Sequence, residues 1–328
     1  MKKLILFCFI GIILGSLWVV YYDRHINLEY WNAAANATDA WEKKLRSESD
    51  EPCYIFTGGS EVRMGSIYPK IMYDEFGVRA INAGGNAGFG LAANISIALG
   101  YAKPGDHLIV AMRHLEYNDA ELLTADGKKF CFMRQGLNMF ESSFLSFDLS
   151  TLKDLTFGEA GSNSMYIVHK LFFPDRLNMW KQLITIHESG WCEHSYWQEI
   201  NMIHAKAAAE DVKINDKTKA FLTKLKAECA KRQISLKVFM NAKYTTSDDI
   251  PHQAMVALKL LEEGIPVLKD PSFGCDSDRS VFQETANHLS LKGTTKYSRI
   301  FAQCIKNSSY WSKEELISIL KEHGIKQF

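Results

Sequence analysis

The sequence predicts an α/β protein with three α/β/α layers around a mostly parallel sheet and a large insertion after the third strand. Three observations predict it. From Cys53 onward, short apolar runs ending in glycine or polar turns alternate with helical segments. Runs that are apolar on both faces suit parallel strands covered on both sides. The rhythm then stops at about residues 116–214, a block rich in Phe, Met, Trp and Tyr. Finally, 328 residues with 47% hydrophobic and 23% charged residues are enough to build one substantial core and argue against a disordered chain.

The chain opens with Lys2 and Lys3, followed by residues 4–22, which carry no charge. At about 1.5 Å per residue that stretch just spans a hydrocarbon core of roughly 30 Å. No small-residue cleavage site follows closely, and Trp18, Tyr21 and Tyr22 suit an interface. The expectation is a retained transmembrane signal anchor over residues 1–25. The lysines would keep the N-terminus in the cytoplasm and place the body outside, crossing the cytoplasmic membrane once.

Residues 27–49 read as an amphipathic helical lead-in carrying Trp41 and Leu45. Strands are predicted at 53–57, 78–82, 107–112, 234–240 and 265–268. Helices are predicted at 91–101, 216–232, 252–263 and 294–306. A last helix starts at the capping box Ser312-Lys-Glu-Glu315 and stops at Gly324. The predicted organisation is an anchor (1–25), a lead-in (26–50), an α/β domain (51–310) and a C-terminal helix (311–328). Six scattered cysteines lie beyond the anchor without a C-x-x-C pair, and most are expected to be small buried hydrophobes. Lys plus Arg and Asp plus Glu both number 38. Nucleic-acid binding by counterion release is therefore not expected.

Ligands on an open α/β sheet bind beyond the C-terminal strand ends. Thr57-Gly58-Gly59-Ser60 follows the first strand, and a serine entering a helix there is exposed at the sheet top or serves as an N-cap. Asn82-Ala-Gly-Gly85-Asn-Ala-Gly88 follows the second, a glycine loop whose N–H groups suit an anion. It matches neither G-x-G-x-x-G nor a P-loop. Near the C-terminus stands Glu284-Thr-Ala-Asn-His288, followed by Gly293.

The order of these three blocks resembles the SGNH/GDSL hydrolase-like superfamily. The likeness is greatest to its membrane-anchored cell-envelope branch, related to alginate O-acetylation proteins and the D-alanylation protein of teichoic acid. It rests on Ile-Phe-Thr-Gly-Gly-Ser60 with Met64-Gly65 and Tyr68-Pro69, on Asn82 to Gly88, and on Glu284-Thr-x-x-His288-Leu-x-x-Lys-Gly293. The resemblance implies a flavodoxin-like fold and a serine acyl-transfer site without a cofactor. Ser60 would be the nucleophile, His288 its base and Glu284 the acid orienting the imidazole. The Ser60 N–H, with that of Gly85 or Gly88, would form the oxyanion hole.

Three departures stand out. Gly59 replaces the Asp of the family's Gly-Asp-Ser. In place of the third block, Gly-x-Asn-Asp, stands Arg113-His-Leu-Glu116-Tyr-Asn118-Asp119, where Glu116 or Asn118 would take the oxyanion position. Thr285 stands where the family has its Asp, leaving Glu284, Asp276 or Asp278 as the acid. The resemblance implies acyl transfer or ester hydrolysis, O-acetyl foremost, on an envelope polysaccharide or related polymer, with a membrane-bound acyl-donor protein as a possible partner. The alternative is an inactive glycan-binding or assembly subunit of the same fold.

One further cluster, His187-Glu188-Ser-Gly-Trp191-Cys192-Glu193-His194, holds metal-ligand types without metal-site spacing, so no metal is expected. Trp191, Tyr196 and Trp197 either line a glycan groove or belong to the core.

Overall fold

The structure, a computed structural model, describes residues 29–111, 124–141, 144, 151, 184–194, 209, 212–283 and 285–326. Its centre is a parallel sheet in the order β2-β1-β3-β6, built from β1 (Tyr54–Thr57), β2 (Ala80–Asn82), β3 (His107–Ala111) and β6 (Ser235–Phe239). The predicted fifth strand is reduced to a parallel bridge between Val238 and Val267.

Strand side chains alternate between two apolar layers, as a period of two requires. Ile55, Ile81, Leu108, Val110 and Val238 enter one core. It is covered by α1 (Glu29–Glu48), α3 (Leu91–Tyr101), α5 (Asp216–Lys231), α6 (Ile250–Glu262) and α8 (Lys313–Glu322). Phe56, Ala80, Ile109, Ala111 and Phe239 enter the other, covered by α2 (Pro69–Phe76) and α7 (Leu291–Lys306). Helices on both faces explain why the strands are mainly apolar, with Ser235 and Lys237 interrupting the run only in β6 and His107 opening β3.

Local chemistry sets the helix ends. Asn215 and Ser290 side chains accept N–H bonds from the first turns of α5 and α7. The capping box of Ser312 and Glu315 is formed on α8. Pro69 sits in the first turn of α2, and Gly77 closes it at φ 69°. The lead-in helix α1 is one of the covering helices: Trp41 is buried and its Nε1 donates to Ala80 O at 2.9 Å.

Within the expected insertion the described parts are regular. Helix α4 (Ala125–Gln135) and the turn after it pack Phe130, Cys131 and Met139 on α3. An antiparallel hairpin, β4 (Ile184–Ile186) and β5 (Cys192–His194), places Cys192 against Ala34 of α1 and Met64. A two-stranded parallel ladder, β7 (Lys243–Tyr244) with β8 (Cys275–Asp276), lies beyond β6. The six cysteines among the described residues are free, and all but the partly exposed Cys275 are buried.

The expected transmembrane helix requires correction. Among the described residues no helix is long and apolar enough to cross a membrane. The longest, α1, interleaves Glu42, Lys43, Lys44 and Arg46 with its apolar positions. Residues 4–22 lie outside the described residues, as do most of residues 116–214.

The opposite edge of the sheet gives a pH prediction. His107 stacks on Tyr54 with ring centroids 4.5 Å apart, and its Nδ1 meets Lys237 Nζ at 2.9 Å and the Ser235 hydroxyl. Burial first, then the Lys237 charge, pushes the imidazole pKa down to about 4. The unfolded chain takes a proton near pH 6.5 while the folded chain does not. Stability therefore falls as pH drops from about 6.5 toward 4. Melting temperatures at pH 7.5, 6 and 5 should show this decline, and His107→Gln should flatten it.

Candidate active site

Ser60 follows β1 after Gly58 and Gly59, at the C-terminal edge of the sheet. Residues 60 and 61 lead into a π-helical turn, Val62–Ser66, kinked at Gly65. Buried Asn82, at the end of β2, holds this turn. Its Nδ2 donates to Val62 O at 3.0 Å and to Ile67 O at 2.8 Å, and its Oδ1 accepts from Gly84 N. Arg63, also buried, ties the turn to three segments, donating to Gly84 O, Thr38 Oγ1 and Gly190 O.

His288 lies 228 residues further on. Its segment folds back on itself through the Phe282–Leu289 bridge and the Gln283 N–H to His288 O bond. Tyr244 N–H reaches Ala286 O, and Leu289 N–H reaches Met64 O at 3.3 Å. The last bond joins the histidine segment directly to the serine turn. His288 Nε2 and Ser60 Oγ stand 2.9 Å apart, both partly exposed. That is hydrogen-bond geometry for a serine and a base.

The predicted acid, Glu284, lies outside the described residues. Thr285, three residues before the histidine, uses its hydroxyl to accept the N–H groups of His288 (3.0 Å) and Asn287 (3.2 Å). It shapes the turn that presents the imidazole and supplies no carboxylate. Asp276 is engaged by Lys296 and Tyr297, and Asp278 by Lys292 and Ser280. Those bonds hold the Asp278 carboxyl well below its usual range.

The oxyanion assignment needs correction at both glycines. The Gly85 N–H donates to Gly58 O at 3.0 Å, and the Gly88 N–H to Asn86 Oδ1 at 2.9 Å. Both donors are internal ties of the loop. The Ser60 N–H makes no hydrogen bond among the described residues, so it is the predicted donor left open. Glu116 and Asn118 lie outside the described residues.

The 187–194 cluster is a bonded corner of the hairpin. Tyr68 OH meets His187 Nδ1 at 3.3 Å, His187 Nε2 meets Glu193 at 3.1 Å, and Glu188 pairs with Lys70. Among the described residues no group of three His, Cys, Asp or Glu side chains is placed to hold a metal. Trp191 is fully buried and stacked on Tyr68, so of its two readings it takes the core. Tyr196 and Trp197 lie outside the described residues.

Sequence reasoning missed Asn82, Arg63 and Glu61 as supports of the serine turn. Each carried a signal: a polar residue closing an apolar strand, or a charge next to a strand-end serine inside an otherwise apolar stretch.

Comparison of the chain with protein-family models, with curated proteins and with solved structures finds no match.

Gly293 gives a second prediction. A Cβ there would lie 2.1 Å from Val281 O, so the missing side chain lets α7 sit against the segment that carries His288. Gly293→Ala should cost about 1–3 kcal/mol through overpacking. It should also weaken the serine–histidine contact, read as a lower melting temperature together with slower labelling of Ser60 by a fluorophosphonate.

Proposed function

We propose that this chain performs serine-dependent acyl transfer or ester hydrolysis on a carbohydrate or related hydroxyl-bearing polymer. The observation that carries the reading is the 2.9 Å contact between Ser60 Oγ and His288 Nε2 at the C-terminal edge of a parallel sheet. The substrate class rests on the resemblance to the SGNH/GDSL superfamily, whose flavodoxin-like α/β/α fold is compatible with the parallel sheet covered on both faces.

His288, with its own proton on Nδ1, takes the Ser60 proton on Nε2 as Oγ attacks the ester carbonyl. The carbonyl oxygen becomes an oxyanion within reach of the Ser60 N–H. Collapse of the tetrahedral intermediate breaks the ester C–O bond. His288 returns its proton to the leaving alkoxide, and the acyl group stays on Ser60. Water or a second hydroxyl then attacks, with His288 again as base, which regenerates Ser60 and gives hydrolysis or transfer. The resemblance assigns Glu284 the role of orienting the imidazole.

A second reading, an inactive glycan-binding subunit, is favoured by one observation: both glycine N–H groups assigned to the oxyanion are engaged inside their own loop. The test is turnover of 4-nitrophenyl acetate and butyrate and of acetylated oligosaccharides. Saturable release that disappears in His288→Ala supports the acyl-transfer reading. Folded wild type that binds oligosaccharides and turns over none of these esters supports the second.

A further inference from the structure

Glu61 stands next to Ser60 and is only 5% exposed. Among the described residues it has no cationic partner. Its one hydrogen bond is accepted from the Gly59 N–H, at 2.8 Å to Oε1. A carboxylate removed from water is unfavourable unless something binds it, so this contact is a strong constraint on where the side chain sits.

The two glycines make the berth for it. A Cβ at residue 59 would lie 2.4 Å from Glu61 Oε2, and one at residue 58 would lie 3.0 Å from Oε1. The carboxylate fills the space that a side chain at 59 would take, while at 58 Val62 Cγ2 (2.6 Å) and Ala111 Cβ (2.9 Å) stand nearer than the carboxylate. Its bond to the Gly59 N–H fixes a residue with much backbone freedom. The rest of the turn is also tied. Gly58 O accepts from Gly85 N at 3.0 Å, and Gly59 O accepts from Val62 N at 3.1 Å. Among the described residues the Ser60 N–H makes no hydrogen bond between these ties.

We infer that Glu61 is a positioning residue for the nucleophile. Through the Gly59 N–H it holds the glycine turn so that Ser60 presents Oγ to His288 and its own N–H to the acyl oxygen. The inference rests on the reading of Ser60 as nucleophile. It requires an acceptor atom at this place and not a negative charge, so glutamine should serve as well as glutamate.

The test compares wild type, Glu61→Gln and Glu61→Ala by the second-order rate of Ser60 phosphonylation with a fluorophosphonate. Hydrogen exchange of the Gly59 amide, followed in glycine-labelled protein, accompanies it. Leaving the buried Gly59 N–H without an acceptor predicts a roughly 10- to 100-fold slower reaction in Glu61→Ala, with a deprotected Gly59 amide. Glu61→Gln should stay within about threefold of wild type and keep the amide protected. Glu61→Ala reacting as fast as wild type overturns the inference. So does Glu61→Gln slowed tenfold or more, a result that stands even if Glu61→Ala fails to fold. Wild type that is unreactive at Ser60 overturns the nucleophile reading, and the inference falls with it; only that outcome is visible in wild type alone.

Discussion

Ser60→Ala should abolish ester turnover, lowering kcat/KM by about 10⁴-fold or more, while leaving the fold intact. The size follows from the chemistry: the substitution removes the atom that carries the acyl group, and His288 is left with no proton to take. The fold should survive because, among the described residues, the Ser60 hydroxyl meets only His288 Nε2. The turn is held instead by Asn82, Arg63 and Glu61. Melting temperature should therefore move little. The Ser60→Ala, His288→Ala double variant should be no worse than the more impaired single variant, because the pair acts as a unit. Additive losses would mean that the two residues act separately.

The largest expected stability effect lies at the other end of the sheet. Asp106 is almost fully buried. Its carboxylate accepts Arg46 on both oxygens, the Cys53 N–H at 2.8 Å and the Lys103 N–H at 2.7 Å. One side chain thus joins α1, the entry to β1 and the turn before β3. Asp106→Ala would leave a guanidinium and two N–H groups without their acceptor. Breaking a buried pair in this way costs about 3–5 kcal/mol. The melting temperature should fall by roughly 10 °C. Burial acts to raise the Asp106 pKa, but the bonds from Arg46, Cys53 and Lys103 outweigh it and hold the carboxyl below its usual value. Its contribution is therefore complete above the unfolded pKa near 3.8 and is lost as pH falls through the lower native value. Wild type should lose stability steeply below about pH 4, and Asp106→Asn should lose less over the same range. Equal slopes would contradict the assignment.

The parts legible from sequence are those where one local rule acts alone. Strand β1 begins one residue later than predicted, α3 has the predicted bounds, and the capping box of α8 is formed. Strand β2 is shorter than its apolar run because Val78 N–H is taken by Met72 O in the closure of α2. Helix α2 is not legible although Pro69 marks its first turn, because eight residues are too few to show a helical period. The fifth strand shrinks to one bridge, with Leu268 pairing instead to Tyr310 across an antiparallel bridge.

At the site, the order of the motifs singles out Ser60 and His288, and tertiary bonds such as Leu289 N–H to Met64 O bring the two side chains within 2.9 Å. The oxyanion donors are not legible in the glycine loop, because glycine content signals backbone freedom and says nothing of where an N–H points. Gly85 and Gly88 use theirs on Gly58 and Asn86. The role of Thr285 was equally hidden: a hydroxyl that caps a turn and a carboxylate that orients an imidazole occupy the same place in a linear motif.

The most direct test of the central claim is covalent. The protein would be incubated with a fluorophosphonate and the adduct located by intact and peptide mass. One adduct on wild type, placed on Ser60 and absent from both Ser60→Ala and His288→Ala, is the predicted result. Folded wild type without an adduct, or an adduct that persists in His288→Ala at the wild-type rate, would contradict a serine activated by His288.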